Sequence, residues 1–372
     1  MLKTLCVFGT RPEAVKLCPV ILHLRQRPTE FSVRVCVTAQ HRSMLDQVLG
    51  AFGVVPDHDL NLMEPNQTLA GLTGRTVAAL GGVLRAEKPD VVIVQGDTTT
   101  TLCGALAAFY ERVPVAHVEA GLRTGDMSQP FPEEMNRVVT TRLATLHLAA
   151  TVGAATHLKR EGVPDRQIWV TGQSGIDAVL YVRGKLREGT LQGPSWEDLI
   201  PGRKLVVVTA HRRESFGPAF ESLCRGIAEI ASRSDVQVVY PVHRNPNVTD
   251  PVFRILGGMK NVLLIDPLDY VPFVDLMQRA DLLITDSGGV QEEGPSLGKP
   301  ILVMREKTER PEAVAAGTVK LVGTDGARIA REAAALLDDD GERARMSRVH
   351  NPYGDGHASE RIAHAMLSFF GN

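Results

Sequence analysis

Cysteine is scarce in this chain: Cys6, Cys18, Cys36, Cys103 and Cys224 are all it has in 372 residues. They are odd in number, show no C-x-x-C spacing and fall mostly inside apolar runs, which excludes a disulfide framework and predicts buried free thiols. No stretch offers the ~18 uninterrupted apolar residues of a spanning helix. The apolar run before Arg11 is too short for a secretory signal, so a soluble, cytoplasmic protein without a membrane partner is expected. Charge of one sign is also missing. A net charge of -2 with 23% charged residues leaves no electrostatic footprint for nucleic acid, and small neutral or anionic ligands become the expected partners. Neither G-x-G-x-x-G nor G-x-x-x-x-G-K-[ST] follows the first apolar run, which disfavours dinucleotide binding and P-loop hydrolysis. No low-complexity tract or solenoid period occurs.

What is present is alternation. Apolar runs at Leu5-Cys6-Val7-Phe8, 33–37, 91–94 and 115–118 form a first series, and runs at 205–208, 236–240, 262–265, 282–284 and 301–303 form a second. Each is separated from the next by a stretch of helical character, the signature of parallel α/β architecture. The length exceeds what one core usually supports, so two domains are expected. The boundary is placed after Thr171, giving 1–171 and 172–355, with Ile168-Trp169-Val170 just before it and a polar, Gly- and Pro-containing stretch at about 184–202 just after.

Chemistry-bearing residues cluster directly behind these runs. Leu282-Leu283-Ile284 leads into Ser287-Gly288-Gly289, a turn that opens a helix with free backbone N–H groups for phosphate, and Glu292 and Glu293 follow at a distance suited to ribose hydroxyls. Simple helix capping would explain the same turn. In the first half, 91–94 leads into Asp97, 115–118 into Glu119, and the loop beyond brings Glu133 and Glu134. Neighbouring parallel strands lie ~4.8 Å apart, so Asp97 and Glu119 would emerge together at the carboxyl ends, an arrangement suited to proton transfer. Capping of the next helices is the plainer account. Two His-Arg pairs, His211-Arg212 and His243-Arg244, also follow strands. RPEAV occurs twice, at Arg11 and Arg310, each time as a helix start with an Arg able to clamp phosphate. These cations suit a diphosphate. No H-x-x-x-H, C-x-x-C or D-x-D constellation lies beside the site, so no metal is invoked.

The motifs GTRPEAVKLCPV, TAQHR, VQGDTTTT, HVEAGLRTGD, FPEEMNR, TAHRRES, PVHRNP, TDSGGVQEEGPSLGKPILVMR and TERPEAVAAGT together resemble the non-hydrolysing UDP-N-acetylglucosamine 2-epimerases, in the same order over nearly the whole chain. The resemblance implies a GT-B fold of two Rossmann-like domains with parallel sheets facing a central cleft, and a C-terminal helix, here about 356–372, packed back on the first domain. It implies a homodimer, no cofactor, and UDP-N-acetylglucosamine, UDP-N-acetylmannosamine and UDP as ligands. Asp97, Glu119 and Glu133 take the acid/base work; His211, Arg11 and Lys16 the departing diphosphate. Arg137 belongs to the substrate set, Ser287, Gly288 and Gly289 hold phosphate, Glu293 the ribose, Arg310 lines the cleft, and Tyr270 or Phe273 packs on uracil. An allosteric set would comprise Gln40, His41, Arg212 and His243.

The implied reaction explains the residue types. The hydrogen on carbon 2 is not next to a carbonyl, so direct deprotonation would leave an unstabilised carbanion; elimination of UDP to a 2-acetamidoglucal and re-addition avoids it. That route needs a base, a proton donor for the other face and positive charge for the leaving group. Which carboxylate serves which face stays open. Ser43 and Asn66 depart from the family's allosteric pattern, and Gln173-Ser174-Gly175 from its hinge. A GT-B glycosyltransferase, a hydrolysing epimerase and a non-catalytic UDP-sugar sensor are the alternatives.

Overall fold

Every apolar run of the first series becomes a strand of one parallel sheet: β1 (Leu2–Phe8), β2 (Phe31–Val37), β4 (Val91–Gln95) and β5 (Val115–Ala120), joined by β3 (His58–Asp59), β6 (Leu146–Ala149) and β7 (Ile168–Val170). The second series becomes β8 (Lys204–Thr209), β9 (Val236–Pro241), β10 (Val262–Ile265), β11 (Leu282–Thr285) and β12 (Ile301–Val303), with β13 (Val319–Leu321) added at the edge. Helices cover the sheets, and central strands such as β4 and β11 read as largely apolar runs. All of β4 is buried.

The computed structural model describes residues 1–38, 42–64 and 67–371. Contacts divide the chain into a first unit, Met1–Ala178 with Tyr353–Asn372, and a second, Val179–Pro352. The first sheet has the order β3-β2-β1-β4-β5-β6-β7 and the second β10-β9-β8-β11-β12-β13. Strand order therefore reverses between β1 and β4 in one unit and between β8 and β11 in the other. At such a point the flanking connections leave toward opposite faces, and ligands bind at the carboxyl ends there.

The chain leaves the first unit within the helix Ser174–Arg187. It returns for the helix Ala358–Phe370, which lies against the helix Arg11–Arg25. Asp177 caps that returning helix, its carboxylate accepting from the N–H groups of Ala358 (3.2 Å) and Ser359 (2.7 Å). All five cysteines are free and buried, and burial pushes the Cys6 thiol up to about 12. No helix among the described residues is long and apolar enough to cross a membrane.

Candidate functional site

In the first unit the chain leaves β1 through Gly9. A Cβ there would stand 2.1 Å from Thr38 Oγ1 and 2.6 Å from Thr100 Oγ1, so only glycine passes. The helix Arg11–Arg25 then starts with Pro12 in its first turn, and Glu13 folds back to accept from the N–H groups of Gly9 (3.0 Å) and Thr10 (2.7 Å). The other oxygen of Glu13 accepts from Thr98 (2.6 Å) and lies 3.2 Å from the Thr101 hydroxyl, on the loop behind β4. Capping is thus real, but this one carboxylate also ties together the two loops that flank the switch point. Burial pushes its pKa up, and the hydrogen bonds from Thr98, Gly9 and Thr10 oppose that.

Asp97 and Glu119 stand at the ends of adjacent strands, and each meets a cation. Arg137 places Nε 2.9 Å and Nη2 2.7 Å from Asp97 Oδ2, and its Nη1 donates to Glu134 (2.9 Å). Glu134 is itself fixed by the N–H groups of Thr124 and Gly125, both at 3.0 Å. Asn136 donates to the Asp97 carbonyl at 2.8 Å. Glu119 has φ 65°, the left-handed region, where the β5–β6 register shifts. Such a conformation costs a non-glycine residue about 1–3 kcal/mol and is found where a side chain must be aimed. Lys16 donates to both of its oxygens (2.8 and 2.6 Å), and Gln95 Nε2 donates to Oε2. Lys16 and Arg137, expected at substrate, are therefore found holding Glu119 and Asp97. Glu133 opens the helix Glu133–Leu143. It and Arg11 are half-buried, and neither side chain makes a hydrogen bond or ion pair among the described residues.

Beneath these acids His117 and His147 face each other in register on β5 and β6. Burial lowers His117 to about 4 and His147 to about 3. His117 Nε2 donates to the Gly96 carbonyl at 2.7 Å, one residue before Asp97.

The second unit repeats the plan. Asp286, fully buried after β11, accepts on one oxygen from the N–H groups of His211 (2.6 Å) and Arg212 (2.7 Å), so a single carboxylate again ties the switch-point loops. Asp286 Oδ1 lies 3.4 Å from His211 Nδ1. The His211 and His243 rings stack 5.5 Å apart, 15° from parallel. Ser287 stands at the N-cap position of the helix Gly288–Glu293 without a side-chain cap hydrogen bond, and the Arg310 guanidinium lies over Gly288, where a Cβ would come within 3.0 Å of Cζ. Arg310 is held by Glu292 and Glu309, each at 2.9 Å. Tyr270 and Phe273 open the helix Tyr270–Arg279. The Tyr270 hydroxyl is buried without a hydrogen-bond partner, and burial first, then the Glu293 charge, pushes its pKa well up. Gln40, His41 and Asn66 lie outside the described residues. Among the described residues no group of three or more His, Cys, Asp or Glu side chains could hold a metal ion.

Sequence reading did not single out Gln95 or Asp286, nor any role for Glu13 beyond a helix start. All three act across long separations in the chain, 24, 75 and 85 residues. The only local signal is their place at strand ends.

A family model described as UDP-N-acetylglucosamine 2-epimerase matches residues 23–367. The UDP-N-acetylglucosamine 2-epimerase of Salmonella typhimurium is 56% identical over 373 residues, 99% of each chain. A crystal structure of the UDP-GlcNAc 2-epimerase from Neisseria meningitidis bound to UDP-GlcNAc is similar at TM-score 0.90 and 45% identity, covering 99% of this chain and 100% of that one. The glycosyltransferase SnogD from Streptomyces nogalater, at 16% identity and TM-score 0.62 over 100% of both chains, shares the fold alone. Two parallel-sheet α/β units of the GT-B class are thus the architecture, as the sequence implied.

Proposed function

The chain belongs to the UDP-N-acetylglucosamine 2-epimerase family, and from that premise we propose that it is a non-hydrolysing isomerase interconverting UDP-N-acetylglucosamine and UDP-N-acetylmannosamine. The observation that carries the reading is in the first unit. Asp97 and Glu119 end adjacent strands, each against its own cation, with Glu133 unpaired nearby in sequence on the helix that holds Arg137. A nucleotide sensor has no use for that set.

The reaction begins when one carboxylate takes the proton from carbon 2 while the bond from carbon 1 to UDP breaks and its electron pair leaves with the diphosphate. The double bond of the 2-acetamidoglucal forms in its place. Return of the diphosphate oxygen to carbon 1, with a proton delivered to the other face of carbon 2, gives the epimer. Asp97, Glu119 and Glu133 are the groups for these proton transfers. His211 and Arg11 stabilise the leaving diphosphate, Lys16 adds its charge there from its place on Glu119, and Ser287, Gly288, Gly289 and Arg310 are on phosphate. Glu293 takes the ribose, and Tyr270 or Phe273 the uracil. Charge placed in advance where charge develops costs no reorganisation during the reaction. Held by Glu292 and Glu309, Arg310 is such a group. Arg137, used up by Asp97 and Glu134, serves by orienting Asp97. This reading also takes the protein to be a cytoplasmic homodimer, and five free thiols agree with a reducing compartment.

Incubation with UDP-N-acetylglucosamine in heavy water tests it. Deuterium at carbon 2 of intact nucleotide sugar, in both epimers, is the expected result. Release of free sugar would mean hydrolysis, and absence of exchange without an acceptor would mean transfer or binding only; either overturns the proposal.

A further inference from the structure

We infer that Gln95 is the positioning residue for Glu119, fixing the direction of its carboxylate where Lys16 supplies only charge. The inference rests on the acid/base role proposed above for Glu119.

Glu119 needs such a device. Its φ of 65° puts it off the regular β ladder at the point where the register shifts, so the backbone bond pattern that aims other strand residues does not aim this one. Lys16 and Gln95 both reach its carboxylate. Lys16 is an ammonium on a flexible four-carbon stem, and its three donors rotate freely, so it attracts the carboxylate without selecting an orientation. Gln95 is different in each respect. It is the last residue of β4, only 2% exposed, and its amide is planar, with Nε2 as the donor. That donor meets Oε2 of Glu119.

Gln95 is also anchored from behind. Its carbonyl accepts from Thr101 Oγ1 at 2.5 Å, and the same hydroxyl lies 3.2 Å from Glu13. A buried, fixed donor aimed at a proton-transfer group, supported in turn by a second layer, is what precise placement requires. A neutral amide has a further advantage over a second cation. It favours the ionised carboxylate modestly, so Glu119 can still accept and return a proton within one catalytic cycle.

Two variants test the assignment. Gln95→Met keeps length and removes the donor. It should lower kcat for epimerisation and for carbon 2 deuterium exchange by about 10–100-fold, because misplacement of a reacting group by ~1 Å costs that much. KM should stay within about threefold, and the acid limb of the kcat–pH profile should move to higher pH, since a donor to the charged form has gone. Gln95→Glu is isosteric and carries the test by itself if the methionine variant does not fold. Its carboxyl can donate only while protonated, so activity relative to the native enzyme should recover as pH falls and collapse as pH rises. Native kcat with an unmoved profile in either variant would overturn the inference. So would equal losses at every pH in both, which would mark a packing role. If the native enzyme itself shows no exchange, the functional reading fails first and takes the inference with it; native exchange with indifferent Gln95 variants sinks only the inference.

Discussion

Substituting Asp97 by asparagine removes the charge and the basicity but keeps the shape, and leaves Arg137 facing an amide while still bound to Glu134. On the proposed acid/base role, Asp97→Asn should cut deuterium exchange by about 10²–10⁴-fold. UDP affinity, in which the proposed function gives Asp97 no part, should stay within several-fold; calorimetry with UDP beside the exchange assay separates the two. Retained turnover would show that Asp97 is a structural acid. Gly9 makes a residue-scale prediction of another kind. A Cβ would sit 2.1 Å from Thr38 Oγ1 and 2.6 Å from Thr100 Oγ1, and those hydroxyls bond each other at 2.9 Å, so neither can withdraw without losing the other. Gly9→Ala should therefore destabilise by about 1–3 kcal/mol in denaturant unfolding, the usual cost of overpacking. An unchanged midpoint would mean the loop simply shifts.

Between strands and loops, one device appears twice. Glu13 joins the loops behind β1 and β4, and Asp286 joins those behind β8 and β11. Each brings a single buried carboxylate to backbone N–H groups that would otherwise be left unpaired at a switch point. At Asp286, as at Glu13, both amides share one oxygen. Asp286→Asn can keep that oxygen in place, whereas Asp286→Ala strands two donors at about 1–3 kcal/mol of stability, a typical cost of unmade buried bonds. Thermal unfolding should accordingly rank native, then asparagine, then alanine. On the proposed role of His211 at the diphosphate, affinity for UDP should fall in the same order. Equal affinities in all three would show that the loop holds its shape without the carboxylate.

For the whole molecule, what sequence made legible was whatever parallel sheets write locally: buried strands as apolar runs, and polar or charged groups immediately behind them. Asp97, Glu119, His211 and Ser287-Gly288-Gly289 were visible for that reason, as was the two-sheet α/β class. β3 and β13, two and three residues long, were not, because so short an edge strand carries no pattern. Nor could spacing reveal that Lys16 meets Glu119 across 103 residues, or that Arg137 is spent on Asp97. The buried pair His117 and His147 was equally hidden, since a histidine in an apolar run looks like any packed residue, yet it contributes to how the protein responds to acid. Both are held neutral in the fold, at about 4 and about 3 against an ordinary 6.5. Below pH 6.5 the unfolded chain therefore takes up protons that the folded one refuses. Stability falls as pH drops through that window, by up to about 1.4 kcal/mol per pH unit for each group. Glu13, raised by burial, acts with the opposite sign, losing stability as pH rises, so the total slope mixes the two. Comparison with His147→Leu isolates the histidine and leaves the His117 bond to Gly96 in place. Urea unfolding at pH 6.5 and pH 4.5 should show the native protein losing about 1–2 kcal/mol more than the variant. Parallel losses in the two proteins would mean that His147 is already hydrated and free to charge in the folded state.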